Sequence, residues 1–194
     1  MYMPKENELM SEFMGSNVKK LLKYCGKEVM IFPMAKIVSP DRVEIGDHSR
    51  LCDYVFIHTG YTGNYKIGRY TDLEPFTCLW AGGDIVIGNF VNVAPAVVFL
   101  SAKFEYKNGS ILTSVIQQNE ENIQHESIIV EDHVLIGTHS TIMAGVHIGE
   151  GAIIGANSLV NKDLDPWGVY VGNPIRKIGE RPKDAKSKAI DLGL

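Results

Sequence analysis

VEDHVLIGTHSTIMAGVHIGEGAIIGANSLV, residues 130 to 160, decides the fold. Val130, Ile136, Ile142, Ile148, Ile154 and Val160 recur in it every six residues without a break. Four residues after each comes Val134, Ser140, Val146, Ala152, Ser158 or Leu164, nearly all small or β-branched. An α-helix of 3.6 residues per turn would scatter this apolar set around its axis, and a single strand would alternate every two residues. A period of six fits a short strand plus a corner, repeated, which builds a parallel β-helix. The recurring apolar residue then points into a narrow lumen and packs on its equivalents above and below.

The same spacing joins Ile45, Leu51 and Ile57, then Ile67, Leu73 and Leu79, then Ile87, Val93 and Phe99. Four, two and twenty-five extra residues separate these sets from one another and from Val130. Three strands per coil make an eighteen-residue turn, so every interruption falls after the third strand. The interruptions therefore stack on one edge of a triangular prism, and the spacing predicts one continuous solenoid of about five coils. Residues 101 to 127 become a loop thrown out from that edge, and connections of this length are commonly functional or disordered.

The ends read differently. Asn7 to Tyr24 places Leu9, Met10, Phe13, Met14, Val18, Leu21 and Leu22 at helical spacing, with Gly15-Ser16 as a break and Cys25-Gly26 as a stop. Such a helix would cap the first coil. Pro166, Gly168, Gly172 and Pro174 mark an irregular exit, and Pro182 to Leu192 predicts a short charged helix. The expected organisation is thus a helical cap and lead-in over 1–36, the solenoid over 37–165 with its loop at 101–127, and a tail over 166–194.

Composition narrows the function. The 194 residues allow one sizeable core, and a net charge of −4 gives no reason to expect nucleic acid. No apolar run approaches the ~20 residues of a membrane span. The polar, acidic start is unlike a secretory leader. Cys25, Cys52 and Cys78 form no disulfide or ligand pattern and read as free thiols of a cytoplasmic protein. Cys52 and Cys78, inside the repeat, read as packing residues.

Certain motifs go further than the repeat: Gly155-Ala156-Asn157-Ser158, Asn161-Lys162-Asp163, Gly172-Asn173-Pro174 and Ala81-Gly82-Gly83-Asp84-Ile85-Val86-Ile87-Gly88. With them the stretch from Val43 to Lys177 resembles the hexapeptide-repeat acyltransferases, in particular the maltose/galactoside O-acetyltransferase-like and surface-polysaccharide sugar acetyltransferase group. The resemblance implies a left-handed parallel β-helix, acetyl-CoA as acyl donor, no metal, and a homotrimer with active sites between neighbouring prisms. It implies a sugar or nucleotide-linked sugar as acceptor, acylated on a hydroxyl or an amine. It places Thr138, Ala156 and Asn161 along the pantetheine arm and Lys162 and Arg176 at the nucleotide phosphates. Guanidinium and ammonium groups suit phosphate on chemical grounds as well.

The usual base of that group, a loop histidine, falls here on Phe104, and the neighbouring stretch Ser101-Ala102-Lys103-Phe104-Glu105-Tyr106 resembles a pattern without histidine. Two candidates stay open. His125 lies in the protruding loop beside Glu126, and an imidazole titrates in the range that general-base catalysis uses. Glu105 is the alternative, as base if desolvated or as the group that orients one. Glu74 and Asp72 are candidate acceptor contacts, and His58 is a third, with a packing role as the alternative. His133 and His139 fall on different sides of the prism, and His48, His133 and His147 lack the register of a three-histidine metal site. Two further readings remain on the residues alone: a β-helix scaffold that has lost its chemistry, and a γ-type carbonic anhydrase-like metalloenzyme.

Overall fold

The computed structural model describes residues 14–60, 62–107, 122–191 and 193. Its strands are two to five residues long and stack into three sheets, the three faces of a prism, parallel throughout except for the last strand, Arg176–Glu180, which pairs antiparallel with Gly168–Val171. Face 1 contains Tyr24–Cys25, Val43–Ile45, Tyr65–Ile67, Ile85–Ile87, Ile128–Val130 and His147–Ile148. Face 2 contains Met30–Ile31, Arg50–Leu51, Asp72–Leu73, Asn92–Val93, Leu135–Ile136, Ile153–Ile154, Gly168–Val171 and Arg176–Glu180. Face 3 contains Lys36–Val38, Phe56–His58, Cys78–Trp80, Val98–Leu100, Thr141–Ile142 and Leu159–Val160. The chain runs from face 1 to 2 to 3 in each coil, so the edges are 1–2, 2–3 and 3–1.

Six three-strand coils and the start of a seventh replace the expected five. The extra coil at the top is formed by Tyr24–Cys25, Met30–Ile31 and Lys36–Val38, which pair in register with Glu44–Ile45, Arg50–Leu51 and Phe56–His58. Cys25, Ile31 and Ile37 extend the six-residue beat upward. A thiol in the first slot, following a helix-like Leu21-Leu22, hides it. At the bottom, Val169 and Tyr170 pair with Ile153 and Ile154 and begin the seventh turn. Residues 7–13 of the expected N-terminal helix lie outside the described residues, and its remainder is a 3-10 helix, Gly15–Leu21, packed by buried Val18. The charged C-terminal helix is present at Ala185–Asp191.

The lumen is apolar and closed. Every beat residue from Ile45 to Val160 is no more than 1% exposed. Ser49, Thr71, Ser140 and Ser158 are buried polar exceptions at corners, and each hydroxyl donates to a backbone carbonyl, as Ser49 does to Gly68 at 2.7 Å. The corners need a left-handed residue, and most supply it without glycine. On edge 1–2, Glu28, His48, Tyr70, Phe90, His133 and Trp167 have φ between 52° and 62°. Their rings form a column, with His48–Tyr70, Tyr70–Phe90 and Phe90–His133 stacked at 4.7, 5.3 and 5.0 Å. Asp47, Asn89 and Asp132 accept backbone N–H bonds from Lys27, Arg69 and Asn89 in the coil above. Arg181 closes the lower end of this edge by donating to the carbonyls of His133 and Gly151, over the Trp167 ring.

No helix of the described residues is long and apolar enough to cross a membrane. Packing of this density sets a stability expectation. Leu79 is fully buried between Ile57 and Phe99. Leu79→Ala should cost about 2–5 kcal/mol through lost transfer energy plus a residual cavity. That corresponds to a melting temperature lower by roughly 5–15 °C in differential scanning calorimetry. A change no larger than an exposed substitution produces would contradict a close-packed lumen.

Candidate active site along two edges of one face

Edge 3–1 carries the insertions and the densest chemistry. Tyr65 is buried just past the first insertion, and its hydroxyl lies 2.5 Å from the Ala81 carbonyl and 3.0 Å from that of His58, donating to one at a time. Burial pushes its phenol well above the ordinary tyrosine value. Thr62 Oγ1 donates to the Gly82 carbonyl at 2.7 Å, and Ser101 Oγ donates to that of Gly83 at 2.9 Å. These bonds fix the turn Ala81-Gly82-Gly83.

The protruding segment is rooted here as an antiparallel ribbon, not a bare loop. Ala102–Phe104 pairs with Ile123–His125, Ala102 opposite His125. The His125 ring lies against Gly82, where a Cβ would come within 2.7 Å of its Cε1. Glu126 pairs with Lys103 at 2.5 Å, and its other oxygen reaches the Gly145 corner one coil below. Glu105 accepts from the Lys107 N–H at 2.9 Å, while its own N–H donates to the Asn122 carbonyl at 2.8 Å. One oxygen of the Glu105 carboxylate thus closes its own turn, beside Phe104, which is 44% exposed. His58, one coil above Trp80, stacks on that indole at 5.1 Å.

Edge 2–3 carries a second cluster. Arg50 grips Asp72 through Nε (2.9 Å) and Nη2, and Nη2 also donates to Glu74 at 3.0 Å. The Cys52 thiol points to the other Glu74 oxygen at 3.7 Å. Burial, then the Glu74 and Asp72 carboxylates, push this thiol up to about 11. Cys52, Asp72 and Glu74 are close enough to share a cation. However, the Arg50 guanidinium already occupies both carboxylates. The arrangement is an ion-pair cluster. Glu74 and Asp72, expected as acceptor contacts, are both bonded to Arg50.

Below Glu74 the backbone ladder continues the column through Ala94, Gly137 and Gly155. Thr138 and Ala156 occupy the adjoining corner, where Thr138 Oγ1 donates to the Pro95 carbonyl at 2.6 Å. Arg176 is exposed and opposite Val171, at the same edge in the last turn. Asn161 and Lys162 are exposed at the end of the lowest face 3 strand, on edge 3–1. The five expected cofactor residues are thus divided: Thr138, Ala156 and Arg176 on one border of face 3, Asn161 and Lys162 on the other. His133 and His139 sit on edges 1–2 and 2–3, and His147 bonds Glu131 at 2.9 Å on face 1. Sequence reasoning missed Arg50, Trp80 and the contact of Gly82 with His125. Only Trp80 carried a signal, as a large aromatic in the outward position after inward Leu79.

Residues 127–162 match the family described as bacterial transferase hexapeptide (six repeats). The chain is 29% identical over 161 residues to the dTDP-4-amino-4,6-dideoxy-D-glucose acyltransferase of Escherichia coli, covering 83% of each. Its fold is similar to that of AntD, an N-acyltransferase from Bacillus cereus, in complex with dTDP and 3-hydroxybutyryl-CoA: TM-score 0.82, 29% identity, 97% of this chain and 95% of that one. A variant of AntD in complex with dTDP-4-amino-4,6-dideoxyglucose and Coenzyme A is 30% identical, with TM-score 0.82, over 97% of this chain and 96% of that one. The chain belongs to the hexapeptide-repeat acyltransferases. It also matches, at 27% identity over 165 residues, 36% of the bifunctional protein GlmU of Thermotoga sp. (strain RQ2).

The state of the Cys52 thiol can be checked directly. A disulfide reagent at pH 8 should leave Cys52 unlabelled in folded Cys25→Ser/Cys78→Ser protein and label it in urea. Glu74→Gln should ease the labelling by removing the larger carboxylate contribution. Prompt labelling of the folded protein at pH 8 would refute the cluster as drawn.

Proposed function

We propose that this acyltransferase moves the acyl group of an acyl-CoA to the amine of a dTDP-linked amino sugar. The observation that carries this reading is the near full-length likeness to AntD, whose complexes hold a dTDP-sugar and a CoA. Three further features support it: a ribbon-bearing edge with an imidazole at its root, a parallel edge lined by small residues, and a cation at the end of that edge. This sharpens the choice between hydroxyl and amine toward the amine. It leaves the acyl chain wider than acetyl, since AntD was captured with a 3-hydroxybutyryl thioester.

In the proposed reaction the free amine adds to the thioester carbonyl, whose electron pair moves to oxygen. The tetrahedral intermediate then collapses, the C–S bond breaks and CoA leaves as thiolate. The ammonium proton passes to His125, held over Gly82. Glu105, held in the turn of the ribbon by the Lys107 N–H, is left as the alternative base, to be tested by Glu105→Gln. A neutral amine is already a nucleophile, so holding two substrates together supplies much of the rate. Thr138 and Ala156 flank the pantetheine arm, and Arg176 meets the phosphates.

Asn161 and Lys162 reach the same CoA only if the 3–1 edge of one copy lies beside the 2–3 edge of another. The functional unit in this reading is a homotrimer with three intersubunit grooves. Three free cysteines and an acyl-CoA donor are consistent with a cytoplasmic location.

Thiol release from acyl-CoA, measured with dTDP-4-amino-4,6-dideoxyglucose against its 4-hydroxy counterpart, tests the reaction; equal or absent release with both would overturn it. His125→Ala should lower kcat about 100-fold, as for removal of a general base, with little change in melting temperature. Arg176→Ala should raise the KM for acyl-CoA and spare kcat, because a remote group contributes uniform binding. A stable monomer in light scattering with undiminished activity would remove the trimer.

A further inference from the structure

His58 and Trp80 have no part in the transfer chemistry above, yet they sit at its border. His58 ends the face 3 strand Phe56–His58, and Trp80 ends the strand below it in direct register. Both lie at edge 3–1, within one turn of Gly82 and the His125 ring.

The hydrogen bonding fixes the tautomer of His58. The Gly60 N–H donates to Nδ1 at 3.0 Å, so Nδ1 carries the lone pair and the ring proton is on Nε2. Gly60 has φ 63°, and a Cβ there would meet Gly82 Cα at 2.9 Å, so the turn that aims this N–H is closed to other residues. Among the described residues nothing accepts from Nε2. Half-burial and Lys36, on the strand above, both disfavour the imidazolium and lower the His58 pKa. His58 is therefore a neutral donor with one free N–H.

Trp80 supplies the flat surface. Its indole is nearly parallel to the His58 ring, 15° between planes, with Phe56 tilted against it at 5.5 Å. It remains 47% exposed, on the outer side of a strand whose inward Leu79 is wholly buried. Aromatic faces beside a polar donor are a common way to hold a ring that is apolar on one side and hydroxylated at its rim.

We propose that His58 and Trp80 form the acceptor-recognition platform, with Trp80 packing against the sugar ring and the His58 Nε2–H donating to a sugar or phosphate oxygen. This rests on the transferase reading and names the side of the groove that takes the amino sugar. Within one prism Thr138, Ala156 and Arg176 line the opposite border of face 3, so the pantetheine arm of the donor approaches this platform from the neighbouring copy. Selectivity then follows from an unmet donor: an acceptor without an oxygen for Nε2–H leaves a half-buried polar group unpaired.

The chain has two tryptophans, and Trp167 is buried, so a change in emission on ligand binding that disappears in Trp80→Phe reports contact at Trp80. Titration with dTDP-4-amino-4,6-dideoxyglucose should quench emission in the wild type and not in Trp80→Phe. His58→Ala should raise the acceptor KM about tenfold, as for loss of one hydrogen bond, with the acyl-CoA KM unchanged. His58→Gln, which keeps an N–H donor, should recover most of the loss. Nitrogen NMR should find the Nε2–H tautomer of His58 at pH 7. Equal changes in both KM values, or a fall in melting temperature alone, would reduce the pair to packing and overturn the inference while leaving the transferase intact. Quenching without turnover would do the reverse.

Discussion

The structure depends on one constraint: a strand of two or three residues has too few groups to be stable alone. Each must meet its full set of backbone partners in the coils above and below, about 4.8 Å away. That requirement forces every coil into the same phase, so equivalent positions become vertical columns. A substitution in the lumen then acts on the coils above and below it. Stability is close to a sum of coil-to-coil terms, and the ends need special treatment. Here the Gly15–Leu21 helix packs at the top and Arg181 binds two corner carbonyls at the bottom.

Corners are where this economy is strained. A non-glycine residue in left-handed conformation costs on the order of 1–3 kcal/mol. Glycine would relieve it, but at edge 1–2 the chain uses His48, Tyr70, Phe90 and His133. The column geometry makes that workable. Rings at equivalent corners are brought to about one coil spacing, the distance at which they stack, and each aromatic pair contributes roughly 0.5–1.5 kcal/mol. Arg69 lies over both Tyr70 and Phe90 and adds to the same column. The strain and its compensation thus have one origin, the exact repetition of phase.

The same logic explains what the sequence makes legible. The lumen can be read because Ile45 through Val160 answer to a single rule, and the edge that carries insertions can be read from where the rule breaks. The first coil escapes because Cys25 is a weak marker and Leu21-Leu22 mimic a helix. The candidate site is harder. Arg50, Asp72 and Glu74 are more than twenty residues apart at the extremes and meet only through register, so a sequence reading of the two carboxylates overlooks their cation. Glu105 has a suitable chemistry and position in the chain, and only the structure shows that one of its oxygens accepts from the Lys107 N–H of its own turn. Trp80 and Gly82 gain their meaning from what lies one coil away. Side chains selected by a column neighbour leave no local pattern.

Function follows from the freedom that remains. Inward positions are fixed by packing, and corner conformations are fixed by hydrogen bonds, so a prism of this kind can vary only its outer faces and its insertions. Columns give those outer positions a linear order along the axis. Small residues at Gly137, Thr138, Gly155 and Ala156 follow one another down edge 2–3 toward Arg176, the order that the proposed path of an elongated thioester uses. The ribbon at edge 3–1 projects from the opposite border of the same face. A single prism cannot fold one border onto the other, because face 3 is a hydrogen-bonded sheet between them. In the proposed reading, where one CoA meets residues of both borders, the two borders would be brought together by a second copy of the chain, and repetition about an axis would give such a groove at each contact.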